Sequence, residues 1–136
     1  MIGGVIVSHG QLGDELIRTA EMIMGKIPNL TAVSIDVTTD VEASREQIRR
    51  AIQAVNHGSG VIIFTDMFGG TPSNISLSFL DSGDVEVITG VNLAMLLQLA
   101  TFQTNEPFQN TVNLLKQRGQ ENIRIASEFL KHHGKK

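Results

Sequence analysis

The chain has 136 residues, a formal net charge of −3, no cysteine, and 41% hydrophobic against 18% charged residues. That length fills one domain with a real core and is too short for two of ordinary size. The acidic balance excludes a nucleic-acid binder driven by phosphate neutralisation, the missing cysteines exclude disulfides and thiolate metal sites, and no stretch approaches the roughly 18 apolar residues of a membrane span.

The opening MIGGVIVSHG lacks the basic start and cleavage site of a signal peptide, so a cytoplasmic protein with no direct membrane insertion is expected. Ile2 to Ser8 is a nearly continuous apolar run, the pattern of a strand buried on both faces. Leu12, Leu16, Ile17, Ala20, Ile23 and Met24 then recur at helical spacing, with Asp14, Glu15, Arg18 and Glu21 on the other side and Gly25 as the stop. From Thr31 to Val37, apolar Val33, Ile35 and Val37 alternate with Ala32, Ser34 and Asp36, which suits an edge strand. Thr39 and Glu42 have capping-box spacing and open a second helix, with Ile48, Ala51, Ile52 and Val55 as its buried stripe. Asn56 to Gly60 is a turn.

Val61 to Thr65 (VIIFT) is again continuous and apolar, hence a central strand. A glycine-rich loop follows from Asp66 to Pro72. Thr71 before Pro72 reads as an N-cap with proline at the first helical position, and the helix runs to about Leu80. After a turn at Asp81 to Asp84, Val85 to Thr89 is a fourth strand, and Asn92 caps a helix to about Phe102. Pro107 or Phe108 starts another helix, with Phe108, Val112 and Leu115 on one face and an end near Gly119. Ile123, Arg124 and Ile125 alternate and suit either a short last strand or more helix. The chain reads as one domain over residues 1–130 and a polar tail over 131–136.

The alternation of strand and helix predicts an α/β doubly wound parallel sheet with right-handed crossovers. Strands one and three, the continuous ones, belong together in the middle, so the order is 2-1-3-4 and the switch point falls between them. Ligands bind beyond the carboxyl ends of the strands at such a point. His9 ends strand one and Asp66 follows strand three, so the topology brings two residues 57 positions apart to one crevice.

A neutral imidazole there can act as a nucleophile toward phosphorus or as a general base. A carboxylate on one ring nitrogen fixes the tautomer and frees the other, and Asp66 is the available carboxylate. Gly69, Gly70 and Thr71, together with Phe68 and the backbone near Gly10 and Gln11, offer uncovered N–H groups and one hydroxyl suited to a phosphoryl group. The set reads as a phosphohistidine site with no metal and no cofactor. The other candidates have plainer readings. His57 is a solvated turn residue, and His132 and His133 are tail residues. Met22, Met24, Met67 and Met95 are packing residues, with Met67 also able to line the site. Arg45, Arg49 and Arg50 form an exposed helix face, and Asn92 is a cap.

Three stretches together, VIVSHGQLGDELIRTAEMIMG, FTDMFGGTPSNIS and VITGVNLAMLLQLA, resemble the IIA component of the mannose family of the bacterial sugar phosphotransferase system. The resemblance spans nearly the whole chain in order and spacing. It implies that His9 accepts a phosphoryl group from the phosphocarrier HPr and passes it to a histidine of a separate IIB component. It also implies that Asp66 bonds the imidazole and that Thr71 lies near the phosphoryl group. The family fold adds a fifth, antiparallel strand exchanged within a homodimer, which would fall at Ile123 to Ser127. Many members carry Trp where this chain has Phe68. Histidine phosphatases carry R-H-G at the first strand, and Ser8 stands here in the arginine's place. The phosphotransfer subunit of dihydroxyacetone kinase shares the chemistry expected of His9, and a regulatory IIA or a binding module without transfer are the remaining alternatives.

Overall fold

The computed structural model describes residues 1–36, 38, 40–67, 69–101 and 106–133. In chain order the elements are β1 (Gly3–His9), α1 (Leu12–Met24), β2 (Leu30–Ile35), α2 (Val41–Val55), β3 (Val61–Thr65), α3 (Thr71–Leu77), β4 (Val85–Thr89), α4 (Leu93–Thr101), α5 (Phe108–Glu121) and α6 (Ala126–His133). One turn of 3₁₀ helix at Leu80–Ser82 precedes β4. The strands form one parallel sheet in the order β2-β1-β3-β4, as the sequence predicts.

The continuous apolar runs mark the strands with a helix layer on each side. All five residues of β3 are buried, as are the first six of β1. Alternate side chains of these strands enter two separate cores. Val5, Val7, Val61 and Ile63 pack with Ile48, Ile52 and Val55 of α2 and Ile75 of α3. Ile6, Ile62 and Phe64 pack on the opposite face with Ala20 of α1, Leu96 and Leu99 of α4, and Val112 and Leu115 of α5. Neither strand can slip by one residue without turning each set into the wrong layer. The register is thereby fixed, with Val7 opposite Thr65 and His9 opposite Ile35. The loops that follow β1 and β3 then lie side by side.

Several ends differ from the sequence reading, each for a local reason. Asp40 caps α2, its carboxylate accepting the Ala43 N–H at 3.2 Å; the expected cap Thr39, and Val37 of the expected second strand, lie outside the described residues. Thr71 is the first residue of α3 rather than its cap, and Gly70 takes the cap position. That helix stops at Leu77 and not at Leu80. Ser76 and Ser78 donate their hydroxyls to Pro72 O and Ile75 O, and Ser78 and Phe79 close tighter three-residue turns. Gly119 does not end α5, which runs on to Glu121. α4 packs there, and an added Cβ would run into the Met95 side chain. Phe102, the expected end of α4, lies outside the described residues.

The expected strand at Ile123 to Ser127 is absent from the four-stranded sheet. Ile123 to Ile125 have no regular secondary structure, and Ala126 and Ser127 begin α6. A strand needs a neighbour for its backbone groups, and among the described residues no strand pairs with this segment. Helix α6 also carries Lys131 to His133, the start of the stretch read as a tail. Met95 is a core residue as expected, but Met22, Met24 and Met67 are 80%, 40% and 58% exposed and lie outside both cores. In α1 the burial concentrates on Ala20, with Leu16 and Ile17 against the core, and leaves Leu12 and Ile23 exposed.

Asn92 joins two elements at once. Its Oδ1 accepts the Met95 N–H at 3.2 Å, the expected cap of α4, and its Nδ2 donates to Gly119 O at 3.0 Å. Asn92→Ala should lower unfolding stability by about 1–2 kcal/mol in urea titration; an unchanged midpoint would contradict this double role.

Candidate functional site

The site forms where β1 and β3 run out side by side. His9 is the last residue of β1, and Asp66 is the first after β3. Asp66 Oδ2 accepts two bonds from His9: its backbone N–H at 2.8 Å and its ring Nδ1 at 2.7 Å. Asp66 Oδ1 accepts the Met67 N–H at 2.9 Å. The carboxylate is thus held at both oxygens, and its side chain is only 11% exposed while that of His9 is 47% exposed.

An ionised carboxylate only accepts, so the ring proton sits on Nδ1 and the lone pair of the neutral imidazole sits on Nε2. The pull on Asp66 has two signs. Burial, the largest single effect, raises its pKa. The His9 amide, the His9 ring, the charge that ring carries when protonated, and the Met67 amide all lower it, and together they win, holding the carboxyl below its ordinary 3.8.

The glycine-rich loop closes against the ring. A Cβ added at Gly70 would stand 3.2 Å from His9 Cε1 and 3.7 Å from Met67 Cγ. Gly69 has φ +87°, a backbone state that favours glycine. The first backbone bond into α3 is Asn74 N–H to Gly70 O. Helix geometry therefore leaves the amides ahead of it without intrahelical acceptors, and none of the described residues accepts from Gly70 or Thr71. Thr71 is exposed, and Phe68 lies outside the described residues. One expected donor is already committed: the Gly10 N–H donates to Ile35 O at 3.2 Å. Gly10 serves the turn, where its φ of +54° is needed.

The sequence reading gathered His9, Asp66, Gly69, Gly70 and Thr71 in one crevice; the structure bonds His9 to Asp66 and sets Gly70 against the ring, with Gly69 and Thr71 as its chain neighbours. It missed Ser8, whose fully buried hydroxyl accepts the Gly13 N–H at 2.9 Å. The signal was a lone polar residue inside an apolar strand. Where a histidine phosphatase would present an arginine, this side chain is sealed in the interior. The remaining candidates lie elsewhere. His57 is exposed and pairs through Nε2 with Asn29 Oδ1 at 3.0 Å. Arg45 pairs with Glu42, and Arg49 and Arg50 pair with Glu46. Among the described residues no three His, Asp or Glu side chains are grouped to hold a metal ion, and no helix is long and apolar enough to cross a membrane.

A four-stranded parallel sheet carrying a carboxylate-held histidine at its switch point defines the class. Residues 3–116 match the EIIA-man family, described as PTS system fructose IIA component. The fructose-specific EIIA component of Bacillus subtilis is 29% identical over 131 residues, covering 96% of this chain and 90% of that protein. The mannose-specific EIIAB component of Escherichia coli K12 is 30% identical over 122 residues, 88% of this chain but only 38% of that longer protein. Among solved structures, the mannose/sorbose specific IIA subunit from Enterococcus faecalis shares the fold, with a TM-score of 0.81 at 22% identity over 90% of this chain and 92% of that one. The chain belongs to the EIIA-man family, the IIA components of the phosphotransferase system, which are phosphotransferases with a phosphocarrier role in sugar transport.

The sign of the Asp66 shift sets a test. A carboxyl with a lowered folded pKa contributes stability that is full above its unfolded value and lost as pH falls through the folded one. Unfolding midpoints of the parent and Asp66→Asn should therefore differ most near neutrality and converge as pH falls from about 5 to below 3.8. A difference constant across that range would contradict the assignment.

Proposed function

We propose that this chain is a phosphocarrier whose His9 Nε2 takes a phosphoryl group from phospho-HPr and passes it to a histidine of a IIB component. The carrying observation is the 2.7 Å bond from Nδ1 to Asp66, which leaves Nε2 unprotonated on a half-exposed ring. Nε2 attacks phosphorus in line. The new N–P bond forms as the bond from phosphorus to the donor histidine breaks, and the donor ring leaves with that electron pair. His9 becomes an imidazolium as the bond forms, and the Asp66 carboxylate offsets its charge at Nδ1. The amides of Gly69 and Gly70 and the Thr71 hydroxyl share the charge of the phosphoryl oxygens. Bonds of the same kind are made and broken, so the step is nearly balanced and runs both ways.

The names of the relatives support an acceptor in a sugar system: fructose-specific for the Bacillus subtilis protein, mannose-specific for that of Escherichia coli, sorbose-specific for that of Lacticaseibacillus casei. The same reading makes the chain a cytoplasmic homodimer in which Ile123 to Ser127 is exchanged and pairs with the partner's β4. Ile123 and Ile125 are 78% and 62% exposed, and β4 stands at the sheet edge beside a groove lined by Glu86 to Gly90, Val112 and Gly119. Burying that pair of isoleucines would let α6 rearrange to free Ala126 and Ser127.

Asp66→Asn should keep the fold and slow phosphorylation by phospho-HPr on the order of 10²-fold, read in a single-turnover assay; equal rates would remove Asp66 from the mechanism. Chain phosphorylated beforehand and mixed with a IIB component should lose its group to that protein. Retention of the group, or its release only as inorganic phosphate, would contradict the carrier reading. Light scattering should give the mass of a dimer, and an Ile123→Asp, Ile125→Asp double variant should give a monomer. A parent that runs as a monomer would contradict the exchange.

A further inference from the structure

Ser8 is a buried polar residue that the proposed transfer step does not use. Its neighbours Val5, Ile6 and Val7 are apolar and, like Ser8 itself, 0% exposed. A hydroxyl sealed in such surroundings is costly unless it is bonded. Its Oγ accepts the Gly13 N–H at 2.9 Å, across five residues of chain. Gly13 is the second residue of α1, so this amide is one of the orphan donors at a helix start. The residue in the cap position, Gln11, makes no side-chain cap bond. Ser8 therefore caps α1 from inside the preceding strand.

The consequence falls on the turn between them, which carries His9. Three bonds hold that turn besides the first bond of the helix itself, Glu15 N–H to Gln11 O at 3.0 Å. The His9 N–H donates to Asp66 Oδ2, the Gly10 N–H donates to Ile35 O, and the Gly13 N–H donates to Ser8 Oγ. The first two tie the turn to β3 and β2. The third ties the end of β1 directly to the helix that follows, alongside that first helix bond. The fit is tight as well: a Cβ added at Gly13 would meet Ile6 Cγ2 at 3.1 Å, Ala32 Cβ at 3.2 Å and Ser8 Oγ at 3.3 Å. The helix start can sit this close to the sheet because residue 13 has no side chain and residue 8 offers an acceptor.

We propose that Ser8 is a positioning residue for phosphoryl transfer: its buried hydroxyl pins the start of α1 and so holds the His9 ring where Nδ1 meets Asp66 and Nε2 faces outward. This rests on the phosphocarrier reading for its effect on rate, and on the His9–Asp66 geometry alone for its effect on the ring. Loosening the turn lets the imidazole leave the carboxylate, and a freed ring redistributes its proton between the two nitrogens.

The test compares the parent with Ser8→Ala, which removes the acceptor, and Ser8→Cys, which keeps the size but accepts weakly. Ring-nitrogen NMR of His9 reads the tautomer without any phosphoryl donor. Phosphoramidate then reads the nucleophile without any partner protein: Nε2 bonds to phosphorus as the P–N bond breaks and ammonia leaves. The expected result is a falling share of the Nδ1–H form from parent to Cys to Ala, with phosphorylation about tenfold slower in Ser8→Ala. If Ser8→Ala does not fold, the Cys variant alone carries the comparison. Folded variants with lowered melting temperature but the parent's tautomer and rate would make Ser8 merely structural and overturn the proposal. A parent that phosphoramidate cannot modify would instead count against the phosphocarrier reading, with the tautomer series still deciding the role of Ser8.

Discussion

One carboxylate oxygen takes two bonds from one residue, and the rest of the structure is arranged around that fact. Asp66 Oδ2 accepts both the backbone N–H and the ring Nδ1 of His9. The backbone bond fixes where the histidine starts, and the ring bond fixes where it points. Neither is possible unless β1 and β3 are neighbours in the right register. That register is set far from the site, by two cores that claim alternate residues of the same strands. Packing at the middle of the sheet thus decides which nitrogen of an imidazole at its end meets the carboxylate.

The site's burial is divided to match. Asp66 is nearly covered and held at both oxygens, which fixes its position and its charge. The His9 side chain is half exposed. A buried orienting group with an open nucleophile suits a reaction whose donor and acceptor are themselves carried on proteins. Gly70 completes the arrangement by having no side chain, since a Cβ there would press on the ring. The proposed exchange of a phosphoryl group between histidines requires this combination of fixed tautomer and free approach.

Much of this was legible in the sequence, for identifiable reasons. The continuous runs at Ile2 to Ser8 and Val61 to Thr65 have the pattern of strands covered on both sides, which placed them centrally and put His9 beside Asp66. The pairing of the two followed from topology, with no local signal linking them. Two misreadings share a cause: the deciding partner was distant in sequence. Gly119 looked like a helix stop, yet it makes room for Met95. Gly10 looked like a phosphoryl donor, yet its N–H extends the sheet to Ile35. Thr39 and Asp40 stand next to each other and both can cap; it is Asp40 whose carboxylate meets the Ala43 amide. The segment Ile123 to Ser127 alternates like a strand, but alternation does not supply a neighbour, and within one chain Ala126 and Ser127 turn into helix.

The central claim is that His9 itself carries the phosphoryl group. Intact-mass spectrometry at neutral or alkaline pH, after incubation with phosphoenolpyruvate, enzyme I and HPr, tests it most directly, with His9→Ala run beside the parent. The account predicts a gain of one phosphoryl group that is lost in acid and absent from the variant. No gain while HPr itself becomes phosphorylated, or an equal gain in His9→Ala, would contradict it.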